Sequence, residues 1–421
     1  MPVVRIRYLL HNAYGGGGTI RSVFNQANAL CDKHDVEIAS VYRTGDNTVF
    51  ELDPRVRLVP LTELRETGVR RTDRPGERSR LANKARRFRN RLPHRHDSRY
   101  RNWDPLVDLT IIRYLRSASD GVLITTRPAL NLLSAWFGPR RLIRIAQDHI
   151  NLDHYQPRLR SAIVRAYPRL DAVAVLTEHD RDTYRAALGD RAVRLERIPN
   201  GIPPWPLPPA ALESKVLVAA GRLVRQKGFD LLITAFATVS ARHPDWRLRI
   251  FGWGAKRPKL AAQIAELGLT DRVTLEGPTR KLDEELAAAS GYVLSSRYEG
   301  LPMVLLEAVT AGVPSVAFDC PTGPREIIDD GHNGLLVPPR DVDALAAGML
   351  RLIENPAERR AMGAAARAGS SRFSMATVRQ EWEKLFGELA AARGWSPSAT
   401  GFRPVRQRSG HDHHPHHRQH Q

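Results

Sequence analysis

Two periodicities alternate along the chain. Short apolar runs recur at Val3–Leu10, Val36–Tyr42, Gly121–Thr125, Leu142–Ala146 and Ala172–Leu176, then at Val216–Ala220, Leu248–Phe251, Arg272–Leu275, Tyr292–Leu294 and Ser315–Phe318. Such runs, bounded by turn residues and too short for helices, predict buried strands. Between them apolar residues return every three or four positions, as at Ile20, Val23, Phe24, Ala27 and Leu30. That spacing predicts helices over 19–30, 229–241, 259–267, 283–289, 303–310, 342–354, 356–368 and 375–392. Strand and helix in regular alternation predict an α/β fold built on parallel, doubly wound sheets. Ligands of such sheets gather at the C-terminal ends of the strands.

The alternation is interrupted once, at Ile198-Pro-Asn-Gly-Ile-Pro-Pro-Trp-Pro-Leu-Pro-Pro209. So many prolines around one Asn-Gly turn suit neither helix nor central strand and read as a semi-rigid linker. With 421 residues the chain is long enough for two domains. The expected organisation is an N-terminal domain over 1–198, a linker over 199–212 and a second domain over 213–374. A closing helix over 375–394 follows. The remainder, 395–421, is a polar tail with histidines at His411, His413, His414, His416, His417 and His420, expected to be disordered.

Composition adds limits. Apolar residues at 42% and charged residues at 26% describe a globular protein, and no run approaches a spanning helix. Arginines inside the first apolar stretch break a signal-peptide core, so a cytoplasmic location is expected. Cys31 and Cys320 are too few and too far apart for a disulfide framework or a zinc site. The net charge of +19 admits three classes of partner: nucleic acid, an anionic membrane and a phosphorylated substrate. Nucleic acid is disfavoured, because no helix-turn-helix, zinc pattern or aromatic-lined RNA motif accompanies the charge. The basic residues concentrate between 65 and 101, where Lys84, Arg86, Arg87, Arg89 and Arg91 surround Leu81, Phe88 and Leu92. This insertion reads either as a solvated surface segment or as an element lying on the inner face of an anionic membrane.

The chemistry concentrates in Ser295-Ser-Arg-Tyr-Glu-Gly-Leu-Pro-Met-Val-Leu-Leu-Glu307. A strand ends here, Gly300 turns the chain, and Pro302 stands where a helix begins. The amides of Met303 and Val304 then face outward, ready for an anion, between the carboxylates Glu299 and Glu307. A phosphate-bearing ligand with hydroxyls on both sides fits that arrangement. Gly15-Gly-Gly-Gly18 follows the first strand, and Gly221-Arg-Leu-Val-Arg-Gln-Lys-Gly228 follows the first strand of the second half. The glycine run lacks a full dinucleotide fingerprint and carries little weight alone.

In order, the glycine loop, Pro199-Asn-Gly-Ile202, Gly221–Gly228 and Glu299–Glu307 resemble the retaining glycosyltransferases of family 4. That resemblance covers nearly the whole chain apart from the basic insertion and the histidine tail. It implies a GT-B fold, two Rossmann-like domains facing a cleft, and transfer of a hexose from a nucleoside diphosphate sugar to an acceptor hydroxyl with retention. By the resemblance, Arg222 and Lys227 grip the diphosphate, Glu307 takes the ribose, Glu299 holds the sugar hydroxyls, and Met303 and Val304 lend amides. Gly17 and Gly18 approach the donor from the other domain, and His149 matches the cleft histidine beside the reacting sugar. Gly323 and Glu326 match a loop that shapes the nucleotide pocket. No cofactor is implied.

Two Asp-x-Asp pairs, at Asp180/Asp182 and Asp341/Asp343, read as helix caps rather than metal ligands. No essential metal is expected, with Arg222 and Lys227 in its place. UDP is the first expectation for the nucleotide, with a GDP-mannose-dependent transferase as the alternative. The acceptor class is a glycan or a lipid-linked glycan. A non-hydrolysing sugar-nucleotide epimerase and a nucleic-acid-binding protein are the readings from other classes.

Overall fold

The computed structural model describes residues 3–64, 93–97, 105–191, 193–398 and 401–404. The basic insertion over 65–101, except 93–97, and the histidine-rich end beyond 404 lie outside them. The first half runs β1 (Arg5–Asn12), α1 (Gly18–Leu30), β2 (Asp35–Arg43), β3 (Arg57–Glu63), α2 (Pro105–Ser117), β4 (Val122–Thr125), α3 (Pro128–Phe137), β5 (Ile143–Gln147), α4 (Pro157–Ala166), β6 (Ala172–Val175), α5 (Glu178–Leu188) and β7 (Arg194–Arg197). Its seven strands are parallel, in the order β3-β2-β1-β4-β5-β6-β7.

The second half runs β8 (Val216–Ala220), α6 (Phe229–Arg242), β9 (Arg247–Phe251), α7 (Arg257–Glu266), β10 (Val273–Gly277), α8 (Leu282–Ala287), β11 (Gly291–Leu294), α9 (Met303–Ala311), β12 (Ser315–Phe318), α10 (Pro324–Ile327) and β13 (Gly334–Val337). Its six strands are also parallel, in the order β10-β9-β8-β11-β12-β13. Helices α11 (Val342–Glu354), α12 (Pro356–Gly369) and α13 (Met375–Ala392) follow.

In both sheets the first strand lies inside and the order reverses beside it, between β1 and β4 and between β8 and β11. Loops leaving the strands there diverge to opposite faces and open a crevice, which is where doubly wound sheets hold ligands. The glycine loop leaves β1, Arg222 leaves β8, and Ser295 leaves β11. The expected two-domain α/β architecture is the one observed. Strands β4, β6, β11 and β12 are buried throughout, which is why they read as unbroken apolar runs.

The expected linker is a packed crossing. Ile202 is buried, its amide donates to the Phe373 carbonyl, and the Met375 amide donates back to the Ile202 carbonyl. The chain therefore passes between the domains twice, side by side. Helix α13, which closes the fold, returns to the first domain, and Trp382, Leu385, Phe386 and Leu389 pack into the core beneath β1 and β2. The tail is ordered further than expected. Trp395–Ser398 (β14) and Gly401–Pro404 (β15) form an antiparallel hairpin, with the Arg393 guanidinium 4.7 Å from the Trp395 ring centre. Among the described residues no helix is long and apolar enough to cross a membrane.

Trp382 is fully buried at the centre of the α13 contact. Trp382→Ala removes the largest side chain there and should cost about 3–5 kcal/mol, read as a fall in the denaturation midpoint. An unchanged midpoint would mean that α13 does not hold the first domain.

Candidate active site

The site is assembled from three loops of the second domain pressed together backbone against backbone. The loop leaving β8 ends in a short turn, Arg225–Lys227, and then Gly228 in the left-handed region at φ 64°. A Cβ on Gly228 would stand 2.0 Å from the Ser295 carbonyl oxygen, so only glycine allows this approach. The Ser295 hydroxyl donates to the Lys227 carbonyl, and the Arg297 amide donates to the Gln226 carbonyl. Arg297 adds a two-pronged ion pair with Asp230, at 2.9 and 2.7 Å. From below, the Glu299 amide donates to the Pro321 carbonyl and the Thr322 amide to the Glu299 carbonyl. Gly323 lies so near Gly300 that a Cβ there would come within 1.9 Å of the Gly300 carbonyl oxygen.

This clamping sets the charges. Lys227 Nζ lies 2.6 Å from Glu299 Oε1, which also accepts from the Ser296 hydroxyl at 2.5 Å. Glu299 is buried and Lys227 mostly so, so each is the other's counter-ion in a region of reduced dielectric. Arg222 stands exposed at the same loop, its side chain in no ion pair or hydrogen bond among the described residues. Lys227 and Glu299 thus meet, with Arg222 on the same loop.

Helix α9 begins at Met303. Pro302 is its N-cap rather than its first helical residue, and the Pro302 carbonyl accepts from the Leu305 and Leu306 amides. The amides of Met303 and Val304 fall ahead of that first intrahelical bond, as anion binding requires. One turn further on, Glu307 is 1% exposed. Burial pushes its pKa up, opposed by Arg21. Neither carboxylate oxygen has a hydrogen bond of regular geometry among the described residues, yet Arg21 Nη2 lies 2.5 Å from Oε1.

The first domain supplies the opposite wall. Gly17 caps α1 at φ 148°, ψ 160°, and a Cβ at Gly16 or Gly17 would meet nothing within 4 Å, so the loop faces open space. A Cβ on Gly18 would lie 3.6 Å from Met303 Cγ, which places the two helix starts against each other. His149 follows β5, and its carbonyl oxygen would stand 2.2 Å from a Cβ on Gly300. Its Nε2 is enclosed and without a hydrogen-bond partner among the described residues, although the residue as a whole is only partly buried. Desolvation, helped by the Arg127 charge, lowers the ring's pKa to about 3. Asp148 beside it accepts from Asn131, Tyr167 and Tyr184 in a buried network that fixes the loop, and burial raises its pKa to about 6. His154 reaches the second domain, its ring centre 4.7 Å from that of Tyr298.

Two residues have partners that the sequence did not indicate. Glu326 stands at the contact between the halves. Its Oε1 accepts from the Glu178 amide at the start of α5, 2.9 Å away, and its Oε2 lies 3.9 Å from Arg197, so it ties the domains together. Asp180 stands in the first turn of α5 without capping it, contrary to the expectation. Thr177 caps α5, accepting from the Asp180 amide, and the Asp180 carboxylate accepts from Asn151. Asp341 does cap α11, accepting from the Ala344 amide. Arg21 was not anticipated. Its signal was a basic residue in the first turn of a helix whose start faces an anion site, where the helix dipole disfavours it.

Comparison with known proteins agrees with this geometry. Residues 208–369, which contain all three clamped loops and α9, match the family model described as Glycosyl transferases group 1. The chain is 41% identical over 395 residues to the exopolysaccharide phosphotransferase SCO2592 of Streptomyces coelicolor, covering 93% of this chain and 41% of that one. The present chain thus spans less than half of that relative's length. It is 30% identical over 285 residues to the amylovoran biosynthesis glycosyltransferase AmsD of Erwinia amylovora, covering 65% of this chain and 80% of that one. The fold matches that of TarM from S. aureus, with a TM-score of 0.73 at 16% identity over 91% of this chain and 99% of that one. The fold is therefore GT-B, and the chain belongs to the glycosyl transferases of group 1.

Proposed function

We propose that the chain transfers a hexosyl unit from a nucleoside diphosphate sugar, UDP-linked by first choice, to an acceptor hydroxyl with retention of configuration. The observation that carries the reading is the Lys227–Glu299 pair held at the β8/β11 crevice beside the Met303 and Val304 amides and the buried Glu307. In the reaction the bond between the anomeric carbon and the phosphate oxygen breaks, and its electron pair stays on the nucleotide. Arg222, Lys227 and the α9 amides meet the charge as it grows. Glu307 takes the ribose hydroxyls and Glu299 those of the sugar, each carboxylate accepting two hydrogen bonds. The acceptor oxygen attacks the same face of the sugar, and its proton passes to the departing phosphate.

In this reading transfer needs no metal, because Lys227, held by Glu299, and Arg222 on the same loop supply the positive charge. His149, held neutral, adds no positive charge beside the reacting carbon. The structure with the TarM fold was solved with UDP, and the names of the two relatives, exopolysaccharide phosphotransferase and amylovoran biosynthesis glycosyltransferase, support an acceptor in cell-envelope polysaccharide or glycolipid assembly. The basic insertion suits an anionic membrane surface near such an acceptor.

Isothermal titration with UDP, GDP and ADP tests the donor, and UDP should bind tightest. Lys227→Ala should lower nucleotide release in the presence of acceptor by about 100- to 1,000-fold. A folded Lys227→Ala enzyme working at the original rate would overturn the assignment. Epimerised donor formed without acceptor would instead favour the epimerase.

His149 generates a prediction in acid. Its folded pKa of about 3 lies below the ordinary 6.5, so between these values the unfolded chain binds more protons. The contribution is whole above pH 6.5 and is lost as pH falls towards 3, at up to about 1.4 kcal/mol per pH unit. The His149 ring should show no titration by NMR above pH 4, and His149→Asn should flatten the acid slope of stability. A His149 ring that titrates near 6.5 would show that the enclosed ring is solvated.

A further inference from the structure

Arg21 occupies a place that local structure does not favour. It lies in the first turn of α1, a helix with no side-chain cap and no acidic residue in that turn. A guanidinium there meets the positive end of the helix dipole. The neighbouring start, that of α9, also lacks a side-chain cap. Gly18 and Met303 bring the two starts into contact, so outward amides and a guanidinium collect around one point. Among the described residues the one anion paired with Arg21 is Glu307, at 2.5 Å, with the Phe50 ring 5.7 Å away as a second support. Glu307 for its part is buried, and neither oxygen has a regular hydrogen bond among the described residues. The pair is asymmetric: the Arg21 side chain is 36% exposed and the Glu307 side chain 2%. Arg21 can therefore swing away while Glu307 cannot.

We infer that Arg21 is a diphosphate-binding residue supplied by the first domain, which in the absence of donor is parked on the carboxylate that receives the ribose. The inference rests on the proposed donor site. Ribose hydroxyls arriving at Glu307 replace the guanidinium as its hydrogen-bonding partners. The freed guanidinium is then held by α1 beside the α9 amides, where the diphosphate lies, and its planar fork suits two phosphate oxygens. One residue thus competes with the nucleoside half of the donor and attracts the phosphate half. Closure of the first domain over the donor becomes coupled to the presence of phosphate, because the group that grips it comes from across the cleft.

The two halves can be weighed separately. Titration calorimetry of wild type, Arg21→Gln and Arg21→Lys would be run with UDP and with uridine. If another nucleoside diphosphate among UDP, GDP and ADP binds the wild type best, it and its nucleoside are used. Arg21→Gln should weaken the diphosphate at least tenfold and leave the nucleoside unchanged or tighter, since the competing guanidinium is gone. Arg21→Lys should recover part of the diphosphate affinity. Equal weakening of both ligands would mean a structural role, and equal tightening would mean a plug that never touches phosphate. Either result, or no change in either ligand, overturns the inference while the donor site stands. Should Arg21→Gln fail to fold, Arg21→Lys carries the same comparison, with a smaller expected loss confined to the diphosphate. If the wild type binds none of the three diphosphates, the donor reading falls first and the inference with it.

Discussion

Backbone packed against backbone around residues 295–302 is the constraint from which the site follows. Gly228 lies on Ser295, Gly300 on His149 and Gly323 on Gly300, each with no space for a Cβ. Side chains between those segments would hold them several ångströms further apart. Lys227 would then lose Glu299, and the first domain would stand off from the turn that carries it. The close packing is stabilised by paired backbone bonds, Glu299 with Pro321 and Thr322, and by Arg297 on Asp230. These fixed contacts let a loop behave with the rigidity of a strand, as a preorganised electrostatic site requires.

Charge at low dielectric explains the rest of the arrangement. Glu299 and Glu307 are both buried carboxylates, and each has a cation against it. The two pairs differ in origin. Lys227 and Glu299 belong to one domain and stay together in any relative position of the halves. Arg21 and Glu307 belong to different domains, so their pairing reports on closure. A buried carboxylate that loses its partner costs several kcal/mol, which means that opening the cleft is uphill unless water or a ligand replaces the guanidinium.

Legibility in the sequence follows burial. The central strands read clearly because both faces are covered, and the helices because one face is. β3, β7 and β13 escaped notice, and all are edge strands. β7 reads Arg-Leu-Glu-Arg and β3 carries Pro60, the polar and proline-bearing composition that an edge tolerates. At the site, the strand-end placement of Arg222, Lys227, Glu299, Glu307 and the α9 start was legible because each follows a strand within a compact motif. The interdomain contact of Glu326 was not foreseen because its partner, the Glu178 amide, belongs to the other domain. Arg21 was overlooked because its partner stands nearly three hundred positions away, so its unfavourable place in a helix first turn had no visible purpose.

The connection between the halves decides what kind of motion the site can use. Both crossings meet at Ile202 and Phe373–Met375, where they bond to each other, while α13 anchors the second crossing in the first domain's core. Two adjacent strands of chain fixed at one point act as a hinge rather than as a tether. Contacts that join the halves elsewhere include Arg21 with Glu307, Glu326 with the Glu178 amide, His149 against Gly300 and His154 against Tyr298. All of them border the loops at the strand C-terminal ends, so rotation about the hinge acts on them as a set. Within that set Arg21 and Glu307 pair a partly exposed guanidinium with a buried carboxylate, so a rotation that separates the halves strips a buried charge of its cation.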